Sequence, residues 1–286
     1  MNPSPPTSHA ADSFDALLIV GHGTRDSAGL GEFHELVERV ARQRPDWRVR
    51  GCFLELAEPS IATAVDALAA AGLTRLRALP LVLFSAGHAK RDIPAELGRA
   101  IARNSGLTIE LCPHLGCHPE IVALSDQHCR AAIVAAGGET VSPDETLLIL
   151  VGRGSSDPDA VAEMRRFADL RRGGYSSSRA TNREAAQPIA DDVEVAFVAV
   201  AAPLLGDALK HARQSRFRRV IVQPHLLFAG EVLTEVAGQV EACRQSDADS
   251  AIEREWIVPQ ALGPDGRLVT AVVDIASSAT PIRTAK

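Results

Sequence analysis

The chain has 286 residues, of which 46% are apolar, enough for one large or two ordinary domains with a substantial core. A formal net charge of −6 argues against nucleic acid as the main partner, because no domain-wide basic field is present to neutralise phosphates. No apolar run reaches the roughly 18 residues that a membrane-spanning helix needs, so no membrane partner is expected. The five cysteines are scattered and odd in number, which indicates a reduced, cytoplasmic protein.

The first 13 residues differ in composition from the remainder of the chain. They are rich in Pro, Ser and Ala and have neither a basic start nor an apolar stretch. A secretory signal needs both of these features. We therefore predict a disordered tail over residues 1–13.

From residue 14 onward, apolar runs alternate with segments of helical periodicity. In the first half the pattern predicts strands over residues 16–20, 49–54, 76–84 and 108–112. It predicts helices over residues 30–42, 59–71 and 93–103. Pro59 suits a helix start, because its missing N–H would be unpaired there in any case. Apolar strands separated by helices indicate a parallel sheet that is covered on both faces.

The second half of the chain repeats the first. Three motifs recur: VGHGTRD (20–26) as VGRGSSD (151–157), FLELAEP (53–59) as FVAVAAP (197–203), and PLVLF (80–84) as PHLLF (224–228). The second copy carries additional polar residues within 173–192, where we predict a flexible surface loop. The repeat predicts an α/β protein with two tandem, doubly wound parallel-sheet lobes, residues 14–140 and 141–286, and a cleft between them.

Three polar residues follow the first three predicted strands at equal spacing. They are His22, Glu55 and His88. Ligands of open parallel sheets bind beyond the carboxyl ends of the strands, so these side chains can converge on one crevice. Two imidazoles and one carboxylate suit a divalent first-row transition metal. We therefore predict a metal site at this edge of the first sheet.

The repeat supplies an internal comparison for this triplet. The equivalent positions of the second half are Arg153, Ala199 and about Val232, and none of them is a metal ligand. The fold therefore does not require the triplet. This favours a functional role over structural, hydrogen-bonded histidines.

Other polar motifs give weaker predictions. Glu58 competes with Glu55, but its place just before Pro59 suggests a favourable charge at a helix start. Residues 21–27 could bind phosphate at a helix N-terminus, yet they match neither G-x-G-x-x-G nor a P-loop. His225 is expected to be packed or to line the cleft. A C-x-H-x-x-C-H pattern is interrupted by Pro and Gly, so a loop with buried thiols is favoured over a structural zinc site; its members are Cys112, His114, Cys117 and His118.

The motifs at residues 20–26, 53–60 and 80–94 resemble those of the sirohydrochlorin chelatases, specifically the two-lobed CbiX-type cobaltochelatases and their iron-inserting relatives. The resemblance is specific from residue 16 to about residue 100 and fainter in the second half. It implies that His22, Glu55 and His88 handle the metal and catalyse its insertion. The implied activity is that of a lyase, a chelatase that inserts Co²⁺ or Fe²⁺ into sirohydrochlorin for cobalamin or siroheme biosynthesis. ATP and an organic cofactor are not expected.

The resemblance also leads to expectations about substrate-binding residues and about the choice of metal. Sirohydrochlorin is an anionic tetrapyrrole with many carboxylates, and Arg25, Lys90 and Arg91 are expected to offset its charge. Cobalt is the first expectation, but affinities at a site with nitrogen and oxygen ligands rise from Fe²⁺ through Co²⁺ to Ni²⁺ and do not select the physiological ion. A monomer and a homodimer both remain open.

Two other classes of function are consistent with parts of this pattern. One is a metal carrier or sensor that uses the same triplet without catalysis. The other is a flavodoxin-like nucleotide-binding module, which would not need the two histidines.

Overall fold

The computed structural model describes residues 14–84, 86–138, 141–173, 187–249 and 253–278. The predicted tail, and most of the loop predicted within residues 173–192, lie outside the described residues. The described chain forms two parallel sheets with helices on their faces. The predicted α/β architecture of two lobes is confirmed.

The first sheet has the strand order β2-β1-β3-β4, and all of its strand pairs are parallel. Its strands are β1 (Ala16–Gly21), β2 (Arg48–Phe53), β3 (Arg75–Pro80) and β4 (Thr108–Leu111). The helices of this half are α1 (Ser27–Gln43), α2 (Ile61–Ala70), α3 (Ile93–Arg103) and α4 (Pro119–Ala135). A short π-helix, His88–Asp92, leads directly into α3.

The second sheet repeats this arrangement with the order β6-β5-β7-β8. Its strands are β5 (Thr146–Gly152), β6 (Asp192–Phe197), β7 (Arg219–Pro224) and β8 (Glu255–Ile257). The helices of this half are α5 (Pro158–Arg172), α6 (Leu205–Gln214), α7 (Glu231–Asp249) and α8 (Gly266–Ser278), and a 3₁₀ turn, Pro143–Glu145, precedes β5. Strands β1 and β5 lie inside their sheets and are buried almost throughout, as a sheet covered on both faces requires.

Several predicted boundaries are wrong, and the first helix, predicted from residue 30, begins at Ser27. Strand β3 ends at Pro80 instead of residue 84: the Leu81 N–H still reaches the Val20 carbonyl, and the Val82 N–H then turns back to Pro80. The second helix begins at Ile61, and Pro59 precedes it. Ser60 caps that helix by accepting a hydrogen bond from the Thr63 N–H, so the cap is a side chain rather than the proline.

The last helix of each half crosses to the other lobe. Helix α8 packs against α1 and β3 of the first lobe, while α4 packs against α5 of the second. Buried Arg77 of β3 donates a hydrogen bond to the Ala276 carbonyl of α8 at 2.6 Å. In the second lobe, Ser125 of α4 bonds to Gln223 of β7 at 2.8 Å. The division at residue 140 follows the sequence repeat and stays a prediction, because the packed layers cross it.

Among the described residues, no helix combines the length and the apolar character needed to cross a membrane.

Candidate functional site

A cleft of about 610 Å³ opens between the lobes at the carboxyl ends of β1 and β7. Its polar lining includes His22, Arg25 and Arg153 together with the acidic residues Asp26 and Glu231. Much of the remaining wall is apolar and includes Leu30, Phe33, Phe53, Leu226, Leu227 and Phe228. Such a cleft suits a ligand with a broad apolar surface and a charged edge.

His22 and Glu55 meet at the edge of this cleft. The Glu55 N–H donates to the His22 carbonyl at 3.0 Å, which holds the two strand ends side by side. The His22 Nε2 atom lies 3.2 Å from Glu55 Oε1, and the side chains are 33% and 48% exposed, respectively. An imidazole and a carboxylate are thus adjacent and accessible, as a divalent-metal site requires.

Gly23 makes the close approach of these two strand ends possible. Its φ of 98° lies in the left-handed region, which favours glycine. A Cβ atom at this position would lie 1.7 Å from the Glu55 carbonyl oxygen. The residue after His22 must therefore be glycine for Glu55 to keep its place.

His88 begins the π-helix His88–Asp92, but its side chain lies outside what the structure describes. Within the described part of the chain, no group of three or more His, Cys, Asp or Glu side chains is arranged to hold a metal ion. The structure therefore brings together His22 and Glu55. The complete triplet with His88 stays a prediction.

The three cations predicted to meet the substrate have different surroundings. Arg25 lines the cleft and forms no hydrogen bond or ion pair within the described residues. Lys90 is bound by two carboxylates of the other lobe, since its Nζ lies 2.9 Å from Asp157 and 2.7 Å from Asp159. These hydrogen bonds raise the pKa of Lys90. Arg91 is exposed near the same acidic group.

The loop after β5 repeats the geometry of the loop after β1. The Ala199 N–H donates to the Arg153 carbonyl at 3.0 Å, as the Glu55 N–H donates to His22. Gly154 has a φ of 100°, and a Cβ there would lie 1.7 Å from the Ala199 carbonyl oxygen. Arg153 therefore occupies the same structural position as His22. In the sequence alone, Arg153 is only the residue that replaces a predicted metal ligand. The repeat is the signal that could have placed it in the cleft.

The C-x-H-x-x-C-H pattern lies where the chain crosses between the lobes. His114 Nε2 lies 2.8 Å from Glu163 of α5, and the Cys117 thiol contacts the Glu163 carbonyl at 3.8 Å. Cys112 is buried, and burial raises the pKa of its thiol to about 12. His118 caps α4 by accepting a hydrogen bond from the Glu120 N–H. These partners agree with a packed loop rather than a metal site.

The remaining polar residues have structural surroundings. Glu58 Oε2 accepts a hydrogen bond from the Ser60 N–H at 2.7 Å, just before α2 begins. His225 is 3% exposed and packs against the rings of Phe84 and Phe167. Burial, together with the charge of Arg171, lowers the pKa of His225 to about 3. His225 is thus a packed, neutral histidine.

Comparison with known proteins points to one family. The CbiX family model matches this chain twice, over residues 16–132 and 147–279. The sirohydrochlorin ferrochelatase of Priestia megaterium is 29% identical over 230 residues, covering 80% of this chain and 79% of that protein. The sirohydrochlorin cobaltochelatase of the same organism is 26% identical over 231 residues, covering 79% and 68%. The structure of SirB from Bacillus subtilis with Fe³⁺ is 23% identical and superposes with a TM-score of 0.75, covering 93% of this chain and 96% of that one.

Proposed function

Because this chain belongs to the CbiX family, we propose that it is a sirohydrochlorin chelatase that inserts Co²⁺ or Fe²⁺ into the macrocycle without ATP or an organic cofactor. The observation that carries the proposal is the contact between His22 and Glu55 at the edge of an apolar inter-lobe cleft. Relatives of both metal specificities, each covering most of this chain, support the reaction class. A metal carrier would need the ligands but not the apolar cleft, so it is the weaker explanation.

The proposed metal site uses His22 and His88 as nitrogen ligands, with Glu55 beside them. Insertion replaces two pyrrole N–H protons of the macrocycle by one divalent ion, so two protons must leave the ring. Glu55 and one of the histidines are the groups that can accept them near neutral pH. The cleft contributes by holding metal and ring in a reactive orientation.

The walls of the cleft suit the two kinds of surface that sirohydrochlorin presents. Its ring faces would pack on partly exposed side chains such as Leu30, Leu226 and Phe228. Its peripheral carboxylates need cations, and Arg25 is the predicted contact that lines the cleft without a partner among the described residues. Lys90 is already held by Asp157 and Asp159, so it is a weaker candidate than Arg25.

The choice of metal is proposed from the family rather than from the site. A donor set of imidazole and carboxylate accepts both Fe²⁺ and Co²⁺, and raw affinity does not decide between them. We propose Co²⁺ first and Fe²⁺ as the alternative. The comparison of rates with the two ions is the measurement that separates them.

The direct test is an anaerobic incubation of the purified protein with sirohydrochlorin and either Co²⁺ or Fe²⁺, followed by visible absorption. We expect both ions to convert the spectrum faster than they do without protein. A His22→Ala variant should lose this acceleration while keeping its circular dichroism spectrum. If the wild-type protein accelerates neither reaction, the chelatase proposal is wrong.

A further inference from the structure

We infer that Arg153 binds a peripheral carboxylate of the macrocycle from the lobe opposite the metal site. This rests on the proposed function, which supplies the anionic tetrapyrrole. The inference assigns a role to the second lobe beyond closing the cleft. The metal-ligand position of the first lobe has become a carboxylate-binding position in the second.

The backbone places Arg153 as it places His22. Matching hydrogen bonds join Val198 to Gly152 at 3.0 Å and Leu54 to Gly21 at 2.9 Å. Both loops then pass through a glycine with a φ near 100°. Because the backbone frame is shared, the side chain at position 153 enters the cleft from the second lobe, and Arg153 lines it together with His22.

The neighbours of Arg153 leave its charge available for a ligand. In the first lobe, the carboxylate of Glu55 lies 3.2 Å from His22, but the equivalent residue in the second lobe is Ala199. Arg153 forms no hydrogen bond or ion pair with any residue that the structure describes, and its side chain is exposed. The guanidinium of Arg153, which no described carboxylate neutralises, is therefore available to bind a carboxylate of the ligand.

The acidic groups that follow Arg153 in sequence are themselves engaged, and the cleft lining also contains Asp26, which caps α1, and Glu231. Asp157, four residues after Arg153, accepts hydrogen bonds from Lys90 and from the Asp159 N–H. Asp159 also binds Lys90. Lys90, predicted from the sequence to bind substrate, thus neutralises Asp157 and Asp159 and leaves Arg153 to take that role.

The chemistry of arginine fits this assignment. A guanidinium presents a planar set of donors that can bind both oxygens of one carboxylate, and its charge persists at any physiological pH. Together with Arg25 from the first lobe, Arg153 gives the cleft a cation on each side. A macrocycle with carboxylates around its edge would be oriented by both lobes at once.

The test measures binding of metal-free sirohydrochlorin by fluorescence titration, so that it does not depend on turnover. We expect Arg153→Ala to raise the Kd roughly tenfold or more, as loss of a charged hydrogen-bonded contact does. Arg153→Lys should retain part of the affinity. The control is Arg165→Ala, which removes an exposed arginine of α5 outside the cleft lining and should change the Kd less than twofold.

A second readout separates a charge contact from a structural effect. The Kd of the wild type should rise with salt concentration, and Arg153→Ala should reduce that dependence while Arg165→Ala does not. Equal Kd values for the Arg153→Ala and Arg165→Ala variants would overturn the inference but leave the chelatase proposal intact. If the wild type binds no sirohydrochlorin, the proposed function fails, and the inference fails with it.

Discussion

At the scale of single residues, two nearby glutamates show how position decides chemistry. Glu55 lies 3.2 Å from His22 beside the cleft. Glu58 is three residues away in sequence, and its carboxylate accepts the Ser60 N–H before α2. The sequence placed Glu55 at a strand end and Glu58 at a helix start, and the observed contacts agree with both interpretations.

Replacing each of these glutamates by glutamine distinguishes the role proposed for Glu55, a base, from that of Glu58, a hydrogen-bond acceptor. We expect Glu55→Gln to lower the rate of metal insertion by roughly 10²–10⁴-fold, because the amide cannot accept a pyrrole proton. Glu58→Gln keeps an oxygen that can accept the Ser60 N–H, so its rate should stay within about twofold of the wild type. Initial rates at saturating metal, with thermal unfolding as a check of folding, provide the measurement. A near-normal rate for Glu55→Gln would remove Glu55 from the mechanism.

Buried His225 makes the free energy of unfolding depend on pH. In the folded state its pKa is about 3, because burial disfavours the charged ring, whereas an exposed histidine has the ordinary value of 6.5. Between these values the unfolded chain binds a proton that the folded chain does not bind. Its contribution is therefore fully favourable to folding above pH 6.5 and declines as the pH falls toward 3.

Lowering the pH from 7.5 to 5.5 should reduce the free energy of unfolding by about 1.4 kcal/mol through His225 alone. A His225→Leu variant removes this term, so its loss over the same pH interval should be smaller by about that amount. Urea unfolding of both proteins at the two pH values measures the difference, and His128 and the other histidines remain in both. The same pH-induced loss in the variant would show that His225 is not the group responsible.

At the scale of elements, the sequence identified the segment that forms β3 but not the residue at which this strand ends. The run from Leu76 to Phe84 is apolar except for Arg77, which predicted one long strand. The sheet uses this run only as far as Pro80. Leu81 lines the cleft, and Phe84 stacks on His225 of the other lobe. Their apolar character reflects contacts between lobes, which the local pattern cannot distinguish from burial within a sheet.

The repeated glycine turn can be tested in the second lobe. Gly154→Ala should lower the free energy of unfolding by more than about 2 kcal/mol, because its Cβ would collide with the Ala199 carbonyl and its φ is unfavourable. Gly206→Ala in α6 is the matched control, since its Cβ would meet no atom within 4 Å. There we expect no loss, or a gain of about 0.5–1 kcal/mol from higher helix propensity. Denaturant titrations should show this contrast, and equal stabilities would contradict the proposed constraint.

At the scale of the whole molecule, the repeat predicted two lobes and a cleft but not the exchange of α4 and α8. Amphipathic periodicity shows that a helix has an apolar face, without showing which sheet that face covers. The contact between Arg77 and Ala276 joins residues 199 positions apart. Such pairings follow from the packing of the complete chain. The equivalence of His22 and Arg153, in contrast, was present in the repeat and needed only the structure to show that both enter one cleft.

Removing α8 should therefore damage the first lobe, although the helix follows the second in sequence. A chain ending at Gly263 loses four buried Leu and Val side chains, Leu268, Val269, Val272 and Val273. At about 1.5–3 kcal/mol each, their loss approaches the typical total stability of roughly 5–15 kcal/mol. We expect this variant to unfold or aggregate, while a control chain ending at Ser278 should keep the thermal midpoint of the wild type. A folded, stable chain ending at Gly263 would show that α8 is dispensable.

The packing of α8 on the first lobe also determines when that lobe can complete its folding during synthesis. The residues of the first lobe leave the ribosome first, but the helix that covers α1 and β3 is made after every strand of the second lobe. The first lobe must therefore wait, with that face uncovered, until the end of α8 has emerged. Because α8 packs on α1, whose Leu30 and Phe33 line the cleft, the wall of the cleft would reach its final packing only at this last stage.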